Sequence, residues 1–237
     1  EVLLDIDALG KAEGVNWVWG GADCLRPTYD RCLISLSRGG ADADVTREFD
    51  VSDKAFVAGG FSRPEAKGQI GWIDTDTVYV STDFGSGSMT SSGYPRIAKE
   101  WKRGTPMSAA KAVYEGQESD ISVGAYRDHT PGFERDFVYR GLTFYTNELY
   151  LRGKDGALLK LDLPDGAQKG AFREWLSVEL RQPWTVGGRD YIAGSLLAIR
   201  LDAFLSGARN FDVLFEPAQN TSLASSAVTK DHVILNV

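Results

Sequence analysis

The segment "TDFGSGSMTSSGYPRIAKEWKRGT", residues 82–105, decides which fold and chemistry the sequence allows. It begins with glycine and serine, turns at Gly93-Tyr94-Pro95 and then alternates bulky and charged residues. A phosphate-binding loop needs G-x-x-x-x-G-K-[ST] before a helix, but no lysine follows the last glycine here. A serine nucleophile needs G-x-S-x-G, and Ser86 and Ser88 stand in the wrong register for it. The segment is therefore predicted to be a glycine-rich connector between two strands.

Short strand patterns dominate the rest of the sequence. Segments such as "RCLISLS", "TVYVSTDF", "NELYLR" and "ALLKLDLP" are rich in β-branched and aromatic residues and are bounded by Gly, Asp, Asn or Pro. Helix candidates are few and short, the best being "MSAAKAVYEG" and "LDAFLSGAR", and the first could equally be a strand. The sequence predicts an all-β fold.

The strand patterns are themselves grouped into a longer repeat along the sequence. "EVLLDID", "AFVAGGF", "KAVYEGQ", "EWLSVEL" and "FDVLFEP" each look like a strand that closes one unit, and a new apolar start follows each of them. Such closing strands recur roughly every 35 to 65 residues, which suits the four-stranded blade of a β-propeller. One blade cannot bury both faces alone, whereas neighbouring blades bury each other. A two-sheet sandwich is the alternative.

We therefore predict one partial β-propeller domain over residues 1–237, built from four-stranded antiparallel blades and holding about five blades' worth of sequence. The terminal pieces either combine into one blade that closes a small ring, or leave open edges where blades are missing. The predicted blades are an outer strand over residues 1–7, then 15–62, 67–118, 119–181, 182–217 and a partial blade over 218–237.

Charge and hydropathy exclude two classes of partner. The formal net charge of −7 opposes binding to phosphate backbones, and the densest basic cluster, "KEWKRGT", is interrupted by Glu100. No apolar run approaches the ~20 residues of a membrane helix, since Arg200 breaks "GSLLAIRL". We expect neither a nucleic-acid nor a membrane partner. The chain begins with Glu1, so we expect an excerpt or a processed product, located in the cytoplasm or, alternatively, in the periplasm.

The two cysteines flank a predicted hairpin tip. If residues 17–25 and 31–37 pair, Cys24 and Cys32 could face each other and form a cross-strand disulfide. Two lone thiols do not make a disulfide framework, however. We predict free, buried cysteines.

Histidines are too few to suggest catalysis. Only His129 and His232 occur, each preceded by an aspartate, and adjacent residues on a strand point to opposite faces. Neither histidine is therefore predicted to act as a catalytic base. Two scattered histidines and two hairpin cysteines also lack the spacing of a zinc site. We expect no catalytic residue, metal or cofactor in this chain.

Carboxylates offer a further alternative, because small propellers can carry paired acids for glycoside hydrolysis. "WIDTDTVYVSTDF" supplies Asp74, Asp76 and Asp83. The first two flank a predicted hairpin turn, where aspartate is favoured for local hydrogen bonding. Val78 stands where a calcium loop would need an acid or an amide. We interpret the pair as turn residues.

At "GGFSRPEAKGQIGWID" and the segment quoted first, the chain resembles the prolyl oligopeptidase family of serine peptidases, particularly its bacterial members. "EVLLDIDAL", "GSLLAIRLDAFLSG" and "VLFEPAQNTSL" extend this resemblance over essentially the whole chain. It implies a portion of the family's amino-terminal propeller, which has seven blades in intact members. It also implies a separate α/β-hydrolase domain that carries the serine, aspartate and histidine and cleaves peptides after proline. Nothing in this sequence matches that domain.

The resemblance implies a steric role for the chain. In the family, the propeller covers the active site and admits only short peptides, and in some members its side chains help to form an outer substrate pocket. The segment before Trp72 lies in the comparable region, but Lys67-Gly68-Gln69 lacks the aromatic of those members. We take Lys67, Gln69, Tyr94 and Arg96 as candidates for substrate gating. The expected partners are the hydrolase domain of the same protein and short proline-containing peptides.

We compare three possible functions for the chain. The first is the non-catalytic propeller of a prolyl endopeptidase; whether the chain itself is an enzyme stays uncertain, although it carries no nucleophile elbow. The second is a free-standing propeller that binds proteins or peptides, which would require pairing of the chain's two ends. The third is a small-propeller glycosidase that uses Asp74, Asp76 and Asp83.

Overall fold

A computed structural model describes residues 1–237 and contains almost only β-structure. The chain divides into two compact units. The first comprises residues 1–129, 135–144 and 150–159, and the second comprises residues 130–134, 145–149 and 160–237. No helix is both long and apolar enough to cross a membrane.

The first sheet has five antiparallel strands. The order is β1-β2-β3-β4, and β5 also pairs with β3. The strands are β1 (Trp17–Cys24), β2 (Arg31–Arg38), β3 (Asp44–Asp50), β4 (Ala55–Phe56) and β5 (Ser62–Ala66).

The second and third sheets have four strands each, in sequence order. The second contains β6 (Gln69–Asp74), β7 (Thr77–Ser81), β8 (Ile97–Lys102) and β9 (Lys111–Glu115), with a 3-10 turn at Met107–Ala109. The third contains β10 (Ser122–Asp128), β11 (Arg135–Gly141), β12 (Asn147–Arg152) and β13 (Leu158–Lys160). The candidate helix "MSAAKAVYEG" is thus a 3-10 turn followed by a strand.

The fourth sheet, in the second unit, has the order β14-β15-β18-β19. A separate hairpin, β16–β17, is inserted between β15 and β18, and a last hairpin, β20–β21, follows the sheet. The predicted helix in "LDAFLSGAR" is confirmed as α2 (Leu201–Leu205). The strands are β14 (Gln168–Phe172), β15 (Trp175–Glu179), β16 (Trp184–Val186), β17 (Arg189–Tyr191), β18 (Leu196–Arg200), β19 (Asp212–Phe215), β20 (Ser225–Val228) and β21 (Val233–Asn236).

These antiparallel sheets of four or five strands confirm the prediction of an all-β fold made of propeller blades. The predicted bounds differ from the sheets at two blades. The predicted blade 15–62 leaves out nearly all of β5, which pairs with β3 in the first sheet. The third sheet ends at Lys160, whereas the predicted blade 119–181 extended over β14 and β15, which begin the fourth sheet. The reason is that β15 pairs with β18 and therefore does not close a unit.

The predicted strand over residues 1–7 is wrong, because a helix, α1 (Ile6–Glu13), begins there. The Asp5 side chain accepts a hydrogen bond from the Ala8 N–H at 2.9 Å and so caps the first turn. Gly14, with φ 67°, ends the helix in the left-handed conformation.

The prediction of free cysteines is also wrong, because Cys24 and Cys32 form a disulfide. The two residues stand directly opposite each other in the β1–β2 register. Cross-strand neighbours bring their Cβ atoms close together, so the hairpin itself places the two thiols within bonding reach.

The core between the first two sheets is aromatic. Phe61 packs edge-on against Trp72 and Trp101, with ring centroids 5.8 and 5.0 Å apart. Beside it the buried carboxylate of Glu48 accepts two hydrogen bonds from Arg103, at 2.8 and 3.0 Å. These contacts fix β3 and the turn after β8 next to each other.

Candidate functional site

Two of the four candidate gating residues, Lys67 and Tyr94, meet at one carboxylate, and a third, Gln69, lines the cavity beside it. Asp42 receives the Lys67 ammonium at 2.9 Å and a hydrogen bond from the Tyr94 hydroxyl at 2.8 Å. The Lys67 ammonium also lies 4.4 Å from the centroid of the Tyr94 ring. These hydrogen bonds, from Lys67 first and then Tyr94, lower the pKa of Asp42, and Asp42 in turn raises the pKa of Lys67.

The local backbone explains why these side chains meet. Lys67 lies between β5 and β6, and Gln69 is the first residue of β6. Tyr94 ends a tight turn in the connector between β7 and β8, where the Thr90 N–H donates to the Tyr94 carbonyl at 2.7 Å. The connector predicted from "TDFGSGSMTSSGYP" is thus confirmed, since it joins β7 to β8.

A small cavity of about 210 Å³ opens beside this cluster. It lies where β6 and β10 begin and β7 ends, so strand termini and connectors surround it. Its lining combines polar and apolar groups. The lining residues are Asp42, Gly68, Gln69, Ser81, Tyr94, Pro95, Ser122, Val123, Gly124 and Tyr139.

Arg96, the fourth candidate, lines a different cavity of about 630 Å³. Its guanidinium donates to the carbonyl oxygens of Gly87 at 2.6 Å and Gly116 at 2.9 Å, and to the Glu115 carboxylate at 2.7 Å. These contacts tie the connector to the end of β9. Arg96 therefore holds the connector in place, and the structure does not bring it to the cluster around Asp42.

Sequence reasoning missed Asp42, Ser81 and Tyr139. Asp42 lies in the short "GGADAD" turn before β3, which carries no motif. Ser81 and Tyr139 look like ordinary strand residues, and only the pairing of strands places them beside the candidates. The alternation of side chains along "TVYVS" and "FVYRG" indicates which residues share a face, but not what that face meets.

The aspartates of the glycosidase alternative serve local turns. Asp74 accepts from the Asp76 N–H at 2.8 Å, as predicted for a hairpin turn. Asp83 accepts from the Gly85 N–H at 2.8 Å and from the Ser88 hydroxyl at 3.1 Å. Their oxygens are engaged in holding backbone and connector, which gives them structural roles.

Neither histidine ring hydrogen-bonds to a serine, threonine or cysteine side chain. His129 Nε2 donates to the Trp72 carbonyl at 2.9 Å, and the exposed His232 lies in the turn between β20 and β21. No three His, Cys, Asp or Glu side chains converge as metal ligands would.

The successive four-stranded sheets define a β-propeller domain. Residues 1–156 match the sequence family described as "Prolyl oligopeptidase, N-terminal beta-propeller domain". The chain belongs to the prolyl oligopeptidase family, as the resemblance predicted.

Comparison with individual relatives supports this assignment. The uncharacterized peptidase y4nA of Sinorhizobium fredii is 40% identical over 248 residues, covering 99% of this chain and 34% of the relative. The uncharacterized peptidase RP174 of Rickettsia prowazekii is 29% identical and is covered to 35%. A solved post-proline cleaving enzyme from Rickettsia typhi is 31% identical with a TM-score of 0.92, over 99% of this chain and 36% of that one. The chain thus spans about a third of these relatives.

Proposed function

We propose that this chain is the propeller portion of a longer serine peptidase that cleaves peptides after proline. In this proposal the propeller covers the active site of an α/β-hydrolase domain and restricts access to short peptides. A rigid cover of this kind excludes water and bulky proteins from the reacting groups. Short proline-containing peptides are then the substrates of the whole protein.

One observation carries the proposal. Almost the entire chain superposes, with a TM-score of 0.92, on a third of a protein described as a post-proline cleaving enzyme. At 31% identity this likeness concerns sequence as well as fold. The remaining two thirds of that protein leave room for a catalytic domain, which this chain's own residues do not supply.

The cluster of Asp42, Lys67, Gln69 and Tyr94 supports a role in admitting substrate. It lies at strand ends and connectors, where binding residues concentrate on a rigid scaffold. Tyr94 is held by the Asp42 carboxylate and by the Lys67 ammonium, so its ring has a fixed position at the cavity. We propose that this ring limits the size of the peptide that passes.

The test uses the full-length protein and fluorogenic peptides with proline or alanine before the scissile bond. We expect the proline peptide to be cleaved at least about a hundredfold more efficiently, since a built pocket discriminates by factors of this order. Equal cleavage of the two peptides would contradict the proposed activity.

Gating is tested separately with proline peptides of about 10 and about 30 residues. Tyr94→Ala should raise the kcat/KM for the long peptide relative to the short one by about fivefold or more. Tyr29→Ala removes an exposed ring that does not line the cavity and serves as the control. An unchanged ratio in Tyr94→Ala would contradict the proposed gating role of Tyr94. It would not contradict the proposed peptidase activity.

A further inference from the structure

The cavity beside Asp42 contains hydrogen-bonding groups that the chain itself does not use. Ser81 is only 1% exposed, and its hydroxyl has no partner. The Gln69 carboxamide, the Ser122 hydroxyl and the Tyr139 hydroxyl line the same cavity and make no hydrogen bond within the chain. Buried polar groups in native proteins are almost always paired, so an unpaired one beside a cavity calls for a ligand.

Strand geometry directs Ser81 toward this cavity. Ser81 stands directly opposite Gln69 in the β6–β7 register, so the two side chains share one face of the sheet. Tyr79, two residues earlier on β7, packs on that same face against Val123 and Val138 of the third sheet. The Ser81 side chain therefore faces the strands that form the opposite wall.

Gln69 is positioned by a close approach to the backbone of Gly124. A β-carbon at position 124 would collide with the Gln69 Nε2 atom, so a larger residue there would displace the carboxamide. The exposed Gln69 carboxamide thus lies beside β10 and makes no hydrogen bond to the chain.

The size and charge of the cavity restrict the kinds of ligand that it can bind. A volume of about 210 Å³ is below the roughly 300–1,000 Å³ of pockets for whole small molecules, but it accommodates one side chain. The only ionised groups at the cavity, Asp42 and the adjacent Lys67, neutralise each other. Hydroxyl and carboxamide groups both donate and accept, which suits an uncharged side chain that does the same.

We propose that Ser81 and Gln69 make this cavity a polar subsite that selects a glutamine or asparagine side chain in the peptide, upstream of the proline. This inference rests on the proposed function, because it concerns the peptide that the gate admits. Neither residue touches the reacting atoms; both determine specificity by hydrogen bonding to a remote side chain of the substrate.

The experiment uses the full-length protein and blocked proline peptides that carry glutamine, or methionine of similar size, at one of the three residues before the proline. At one of these positions we expect glutamine to raise kcat/KM about tenfold over methionine, as one or two buried hydrogen bonds would. Ser81→Ala and Gln69→Met should each reduce this preference to about threefold or less, with the methionine peptide cleaved as before.

Ser195→Ala is a matched control. Ser195 is also fully buried with an unpaired hydroxyl, but it lies in the second unit and does not line the cavity. It should keep the glutamine preference of the unmodified protein. Efficient proline-specific cleavage with no glutamine preference, or with a preference that survives both variants, would overturn the subsite alone. Loss of proline specificity itself would overturn the proposed function.

Discussion

Ser88 organises the connector between β7 and β8 from within. Its buried hydroxyl accepts a hydrogen bond from the Phe84 N–H at 2.8 Å and donates to the Gly85 carbonyl at 2.6 Å. Ser86, two residues earlier, is exposed and makes no such bond. The two serines look alike in the sequence, but only Ser88 holds the connector together through hydrogen bonds.

This difference gives a pair of matched variants. Ser88→Ala leaves the Phe84 N–H without its acceptor, so we expect a loss of about 1–2 kcal/mol in the free energy of unfolding. Ser86→Ala should change that free energy by less than about 0.5 kcal/mol. Urea unfolding of the full-length protein, monitored by tryptophan fluorescence, measures both changes in the free energy of unfolding. Because neither serine is a nucleophile, turnover of a proline peptide should stay within tenfold; a larger loss in a folded variant would contradict the connector assignment.

At the residue scale, the sequence predicted what depends on local chemistry and missed what depends on register. The turn role of Asp74 follows from its own neighbours, and the structure confirms it. The bond between Cys24 and Cys32 depends on which residues stand opposite across β1 and β2. One residue of slippage would place the two thiols on different faces, and nothing in the spacing alone excludes that slippage.

Among the elements, the junction of β5 and β6 depends on a glycine. Gly68 has φ 154°, and a β-carbon there would collide with the Ser81 carbonyl oxygen of β7. The chain thus enters β6 closer to its partner strand than any other residue would permit. This approach also brings Gln69 opposite Ser81.

Gly68→Ala should therefore destabilise the protein by about 2–3 kcal/mol, because backbone must move to admit the methyl group. Gly166→Ala is the control, since a β-carbon at position 166 meets no atom within 4 Å. We expect it to be neutral or slightly stabilising. The midpoint of urea unfolding measures both variants, and equal midpoints would contradict the close approach at Gly68.

The predicted blade bounds agree with the sheets where strands pair in sequence order. They disagree where strands pair out of sequence order. Sheets two and three pair in sequence order, and the predicted unit 67–118 encloses β6–β9. In the fourth sheet, the β16–β17 hairpin separates two strands that pair with each other, so "EWLSVEL" looked like the end of a unit. For α1, the capping residues Asp5 and Gly14 were visible signals, but the apolar run "EVLLDID" outweighed them.

At the scale of the whole molecule, the last hairpin has only two strands, while the blade sheets have four or five. Strands β20 and β21 have solvent-exposed apolar side chains, since Val228 is 60% exposed and Ile234 is 56% exposed. Unpaired strand edges with apolar surface are templates for association with another chain. In a longer protein, further residues could cover this surface.

A polypeptide of residues 1–237 alone should therefore associate as its concentration rises, which sedimentation velocity measures directly. Val228→Lys and Ile234→Lys together should shift the association at least about tenfold to higher concentration, because charged edge residues oppose strand pairing. Val2→Lys changes an apolar residue of the first unit that is more exposed still, at 71%, and should leave the association unchanged. A chain that stays monomeric and melts cooperatively would contradict an open edge and favour the self-contained interaction propeller over the portion of a peptidase.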